Sequence, residues 1–136
     1  MIQTFIDTGV LITAARGNDS TVQTALNILH DPDREFACSP FLQLELLPKA
    51  IYNQRQPEVD FYEAYFAIVT HWATDLDGIV ATAYREVAEF GLGAMDALHI
   101  AAAVAVSADE FITNEKPGKS IHRTPSIRII SIRESD

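Results

Sequence analysis

The strongest constraint on this chain is the way short strand-like runs alternate with helix-like segments. Ile2 to Ile6 reads as a strand entering a core, and Gly9 to Ala15 as a short buried helix that stops near Gly17 and Asn18. Ser20 is placed to cap a second helix over 21–30, with Val22, Ala25, Leu26 and Leu29 on one face. After the turn Asp31-Pro32-Asp33 comes a strand from Glu35 to Ser39. Ser39-Pro40 has the form of an N-cap with proline at the first helical position, opening a helix from Phe41 to about Leu47 that Pro48 is expected to interrupt. Pro57 opens an aromatic-rich helix from Val59 to about His71, and Ala73 to Leu76 reads as a short strand. Asp77 is expected to cap a helix from Ile79 to Phe90, which Gly91-Leu92-Gly93 ends. Ala94 to Val106 is an alanine-rich helix, Glu110 to Thr113 a strand, 114–126 a loop and Ile127 to Ile132 a last strand. Strands separated by helices build βαβ units, so the expected fold is α/β, a short, mostly parallel sheet flanked by helices in three layers. With 136 residues, no internal repeat and no linker, the chain is expected to form one domain over 1–136.

Composition narrows the class. The chain is 48% apolar and 21% charged, ordinary for a packed domain and wrong for disorder. No apolar run reaches the roughly 18 residues of a membrane span, and the start Met1-Ile2-Gln3-Thr4-Phe5 lacks the basic region of a secretory signal. Cys38 is the single cysteine, so an internal disulfide is excluded and a cytoplasmic setting is expected. The net charge of −9 opposes nucleic-acid binding, but it is unevenly spread. Residues 1–115 carry 17 acids and 5 bases, whereas 116–136 carry 2 acids and 5 bases.

In a parallel sheet, ligands bind beyond the carboxyl ends of the strands. That rule singles out Asp7, at the end of the first strand, and Thr113-Asn114-Glu115, at the end of a later one. Glu45 is the one acid in the apolar turn Phe41-Leu42-Gln43-Leu44-Glu45-Leu46-Leu47, and Asp96 lies in the first turn of a helix that is apolar almost all round. Each acid has an ordinary reading: a helix cap for Asp7, a solvent-facing side chain for Glu45, a favourable dipole position for Asp96, a loop charge for Glu115. His99, three residues after Asp96, reads either as a partner for that carboxylate or as a partly buried core histidine. Together the four acids can converge on one edge of the sheet. Four clustered carboxylates repel one another unless cations intervene, and hard divalent ions such as Mg²⁺ or Mn²⁺ prefer such oxygens. The expected chemistry is therefore metal-assisted phosphodiester hydrolysis. The motif Asp75-Leu76-Asp77-Gly78-Ile79-Val80 resembles the nucleophile loop of haloacid-dehalogenase-like phosphatases, but the apolar strand that should precede it is missing and too little chain follows.

Four motifs in order, Phe5-Ile6-Asp7-Thr8-Gly9-Val10-Leu11, Ser39-Pro40 with Glu45, Asp96-Ala97-Leu98-His99-Ile100-Ala101-Ala102-Ala103, and Ala108-Asp109-Glu110-Phe111-Ile112-Thr113-Asn114-Glu115, resemble the PIN domain, most closely the small VapC-type toxins of bacterial toxin–antitoxin pairs. The resemblance implies an endoribonuclease with an acidic Mg²⁺ or Mn²⁺ site. Asp7, Glu45 and Asp96 fall on the three core acidic positions. Glu115 stands where the family usually has Asp, one methylene shorter. Thr8, Thr113, Asn114 and His99 are the supporting residues. Lys116, Lys119 and Arg123 are candidates to hold flanking phosphates of an RNA substrate. The resemblance further implies a cognate antitoxin, for which the aromatic stretch Phe61, Tyr62, Tyr65, Phe66 and Trp72 offers a groove, and a homodimer. The alternative is a catalytically silent PIN-like module that only binds a partner, favoured by the altered fourth acid and the acidic surface.

Overall fold

The computed structural model describes residues 1–17 and 20–133. Its elements are β1 (Ile2–Ile6), α1 (Thr8–Arg16), α2 (Val22–Leu29), β2 (Arg34–Cys38), α3 (Pro40–Tyr52), α4 (Gln56–Ile68), β3 (His71–Trp72), α5 (Leu76–Phe90), α6 (Ala94–Ala105), β4 (Glu110–Thr113) and β5 (Arg128–Ser131), with a 3₁₀ turn at Ser120–Arg123. The five strands form one sheet in the order β3-β2-β1-β4-β5, and all four pairings are parallel. The chain builds outward from β1 in one direction through β2 and β3, then crosses over to add β4 and β5 on the other side. Strand order thus reverses beside β1, and the crevice between β1 and β4 is the topological switch point of the sheet. The helices cover both faces, as an all-parallel sheet requires.

Burial explains why these segments pack as they do. Phe5 and Phe111 stack across β1 and β4 with ring centroids 5.4 Å apart, and Ile6, Leu11, Leu42, Ile100 and Ile112 close around them without solvent contact. Ala97, Ala101, Ala102 and Ala103 are buried on α6, whose short side chains let the helix lie close to its neighbours. Tyr62 and Tyr65 are buried in this core, and Phe61, Phe66 and Trp72 are partly buried against it.

Several boundaries differ from the expectations. Helix α3 runs through Pro48 to Tyr52. The proline removes one backbone donor, but Pro48 and Leu44 lie on the exposed side while Leu42, Leu46 and Ala50 bury the opposite face, and that burial outweighs a single lost bond. Helix α4 stops at Ile68, three residues early, because His71 and Trp72 pair with Ala37 and Cys38 as a short edge strand; no strand forms over 73–76. Asp75 rather than Asp77 caps α5, its Oδ1 accepting from the Gly78 amide at 3.2 Å. That carboxylate folds over Gly78, where any Cβ would collide with it, so the glycine is required by the cap. Ser20 does not cap α2; the N-cap position is Thr21. Gly17 ends α1 in the left-handed conformation (φ 63°), and Asn18 lies outside the described residues. Among the described residues, no helix is long and apolar enough to cross a membrane.

Candidate active site

At the carboxyl end of the sheet, on the switch-point crevice, is a cleft of about 320 Å³ lined by Asp7, Thr8, Gly9, Ile12, Glu45, Leu46, Lys49, Asp96, Thr113, Asn114 and Glu115. All four candidate acids share its wall, together with Thr8, Thr113 and Asn114. Lys116, Lys119 and Arg123 do not. Arg123 instead lies along the α5–α6 turn, with one guanidinium nitrogen 3.0 Å from where a Cβ on Gly91 would stand.

Asp7 is delivered by the end of β1 and doubles as the N-cap of α1. Its Oδ1 accepts from the Thr8 amide at 2.8 Å, and its Oδ2 accepts from the Thr113 hydroxyl at 3.0 Å. The backbone also ties the two strand ends, since the Asp7 amide donates to the Ile112 carbonyl at 2.9 Å. Burial raises the pKa of Asp7, and the hydrogen bonds from Thr113 and Thr8 only partly offset it. Gly9 is held to glycine by contact: a Cβ there would come within 2.9 Å of Asn114 Cβ, so α1 can approach the β4 loop only without a side chain. Asp96, in the first turn of α6, has its pKa pushed up to about 6, first by burial, then by the charges of Asp7 and Glu115. No hydrogen bond from a described residue relieves it.

Glu45 reaches the cleft from α3. Its carboxylate accepts from His99 Nε2 at 3.1 Å, and that bond holds its pKa below the usual glutamate value against the opposing effect of burial. His99 is 1% exposed. Of its two readings, the buried core histidine is the one the structure bears out, and the ring turns not to Asp96 but to α3, where it bonds Glu45. Thr113 has a double duty, since its hydroxyl oxygen also accepts from the Glu115 amide at 3.1 Å. Glu115 is fixed through its carbonyl, which accepts from Ser131 Oγ at 2.7 Å and from His122 Nε2 at 3.1 Å, leaving its exposed side chain at the rim.

Sequence reasoning missed four residues of this site and its rim. Lys49 lines the cleft one turn beyond Glu45, and its i+4 spacing was the available signal. Leu46 and Ile12 supply apolar wall. Arg133, near the end of the described chain, donates from Nε to Asn114 Oδ1 at 2.7 Å and to the Asn114 carbonyl at 3.0 Å, fixing the orientation of that amide. Nothing in the sequence connects positions so far apart.

The donor set suits a hard cation. It is made of carboxylate, hydroxyl and amide oxygens, with no thiolate, and among the described residues none of the four acids is ion-paired to a Lys or Arg. The pKa of Asp96 is raised first by burial and then by the neighbouring carboxylates, and a cation would offset both. Among the described residues no three His, Cys, Asp or Glu side chains stand close enough together to hold a metal ion by themselves. An open arrangement is compatible with Mg²⁺, which keeps several waters and takes one or two carboxylates. A larger groove of about 530 Å³, lined by Phe41, Val80, Tyr84, Val87, Leu98 and neighbouring alanines, is apolar and holds no acid, so it is not the reacting site.

Known proteins share this fold. The chain matches the PIN domain family over residues 4–117 and belongs to that family. Its fold is similar to that of VapBC2 from Rickettsia felis bound to a DNA fragment from its promoter, with a TM-score of 0.73 at 16% identity, over 96% of this chain and 98% of that chain. DNA-bound VapBC from Salmonella typhimurium gives a TM-score of 0.70 at 18% identity, over 98% of this chain and 100% of that chain. VapC20 of Mycobacterium tuberculosis, a toxin that cleaves the sarcin–ricin loop, gives 0.62 at 16% identity, over 79% of this chain and 86% of that one. A search of curated proteins finds no significant match.

Proposed function

We propose that this PIN-domain protein is a divalent-metal-dependent endoribonuclease and the toxin of a VapBC-type pair, acting in the cytoplasm. The observation that carries the reading is the carboxylate cleft itself: buried Asp7 and elevated Asp96 face Glu45 and Glu115 with no Lys or Arg paired to any of them. Asp7 and Asp96 would be the direct ligands of Mg²⁺ or Mn²⁺, Glu45 a third ligand, and Glu115 a rim ligand or the holder of a second ion. The bound ion would supply charge to the scissile phosphate and lower the pKa of a water. The chain's own residues do the rest. Thr113 and Thr8 hold Asp7 in one orientation, Glu45 is ionised and available to accept the proton of the attacking water, and Ile12 and Leu46 limit water at the cleft floor. Lys49 at the wall, with Lys116 and Lys119 in the adjoining loop, is suited to flanking phosphates of single-stranded RNA.

Two apolar surfaces suit protein partners. A groove of about 200 Å³ between α2 and α4, lined by Leu29, His30, Phe61, Ala64, Tyr65 and Ile68, is suited to an antitoxin segment, and the α5–α6 groove to a second copy of the chain. That several of the similar structures are VapBC complexes supports an antitoxin partner.

The test is cleavage of a structured RNA by the purified chain with Mn²⁺, with Mg²⁺ and with chelator. Cleavage that needs either ion and disappears in Asp7→Asn is expected. Absence of cleavage in all three conditions would favour a silent binding module.

A further inference from the structure

We infer that His99 is a positioning residue for the carboxylate site, holding Glu45 in place from inside the core; this rests on the nuclease reading of the cleft. Glu45 has a long side chain on α3 and is partly exposed at 32%, so left alone it would populate several rotamers. The ring that grips it is the opposite case. His99 is enclosed at 1% exposure, its ring tilted against Phe5 with centroids 6.3 Å apart. Its Nε2 meets Glu45 Oε1 at 3.1 Å, while its Nδ1 is buried with no hydrogen-bond partner. An ionised Glu45 can only accept, so Nε2 carries the hydrogen and donates it.

The orphan nitrogen separates a positioning role from a structural one. A buried polar atom without a partner costs stability, and an apolar ring of similar size would remove that cost. The single polar contact of His99 is with a cleft residue, not with the fold. Its position on α6 adds a geometric reason. Asp96 and His99 are three residues apart on one helix, so α6 contributes a carboxylate directly and fixes a second one on α3 through the ring. A rigid α6 thereby sets the spacing of two acids. Partners that orient ligands in this way typically change metal affinity or turnover by about ten- to a hundredfold when removed.

The experiment uses the full chain with His99→Phe, His99→Gln, Glu45→Ala and the double variant. Readouts are single-turnover RNA cleavage, Mn²⁺ affinity by calorimetry and unfolding in chelator. In His99→Phe, kcat and Mn²⁺ affinity are expected to fall at least about tenfold, with KM for RNA unchanged and stability in chelator equal or higher. His99→Gln keeps an N–H donor and should recover most of both losses. Adding His99→Phe to Glu45→Ala should cost nothing further. A His99→Phe protein that unfolds, or that keeps the parent's turnover and Mn²⁺ affinity, overturns the inference. If the parent itself neither cleaves RNA nor binds Mn²⁺, the nuclease reading fails and this inference fails with it. If the parent does both and His99→Phe matches it in turnover and Mn²⁺ affinity, the positioning role alone is lost.

Discussion

The two ends of the sheet both bury acids, and they treat them oppositely. At the amino end, Glu110 opens β4 at 4% exposure and is answered by Arg34 Nε at 3.3 Å and the Thr4 hydroxyl at 3.2 Å, while Arg34 also reaches Asp31 at 2.7 Å. At the carboxyl end, Asp7 and Asp96 are crowded by Glu45 and Glu115, and the one cation on the wall, Lys49, makes no ion pair among the described residues. The first arrangement closes a structural network with the charges supplied by the chain. The second leaves a charge requirement for something that is not the chain. An acid that serves the fold is neutralised internally; an acid that serves a ligand is kept waiting at a cost in stability.

This contrast can be broken by removing the internal cation. Arg34→Met should destabilise the protein by about 3 kcal/mol, because it leaves Glu110 buried without its partner. Urea unfolding would show it, and a loss below about 1 kcal/mol would mean that the amino-end network is no more than a surface pair. The complementary manipulation supplies the missing cation at the other end. Mn²⁺ at about a hundred times its dissociation constant should stabilise the parent by about 2.7 kcal/mol and leave Asp7→Asn nearly unmoved. Equal stabilisation of both would place the ion elsewhere.

Acid titration sharpens the same comparison. The Asp96 carboxyl is pushed up to about 6 from the ordinary aspartate value of 3.8, so between those values the folded chain binds more protons at this group than the unfolded chain. Stability in chelator should therefore rise as pH falls from 7 through 6 towards 5, with Asp7 acting in the same direction, until Glu45, whose pKa is lowered, begins to oppose it nearer pH 4. Because Asp96 is only partly buried, the gain from it is discounted for solvent screening to about 1 kcal/mol. Thermal melts across that range would check it, and a monotonic loss of stability on acidification would contradict it. The smallest effect belongs to the basic loop. Lys119→Ala should lower the salt slope of RNA binding by about 0.7 for each lost phosphate contact, while Arg123→Ala, whose guanidinium rests on the α5–α6 turn, should change it less. Equal slopes in parent and Lys119→Ala would remove that loop from the RNA path.

The sequence carried much of this in residues at strand ends. Asp7 and Thr113-Asn114-Glu115 were legible because a short apolar run followed by an acid has one meaning in a parallel sheet: the acid emerges at the carboxyl edge. The alanine run after Asp96 foretold a helix lying close to its neighbours. What was not legible depended on tertiary contact. His71 and Trp72 continue a helical pattern and are captured by β2 as an edge strand. Pro48 marks a helix end in isolation, yet burial of Leu42, Leu46 and Ala50 carries α3 past it. The helical spacing of His99 allowed a contact with Asp96 or a place in the core, and only the packing of α3 against α6 gives the ring to Glu45. The Arg133–Asn114 clamp joins a strand end to the chain's last turn and leaves no local trace.

The central claim is that the carboxyl-end acids are held for a cation at the expense of the fold, and Asp96→Asn tests it most directly. The measurement is the unfolding free energy of parent and variant at pH 7, in chelator and in saturating Mn²⁺. The expected result is a crossing: the variant is more stable than the parent in chelator, where it relieves the repulsion from Asp7 and Glu115, and less stable in Mn²⁺, where it has lost a ligand. A variant that is less stable than the parent in both conditions, by the same amount, would make Asp96 a structural residue and contradict the account.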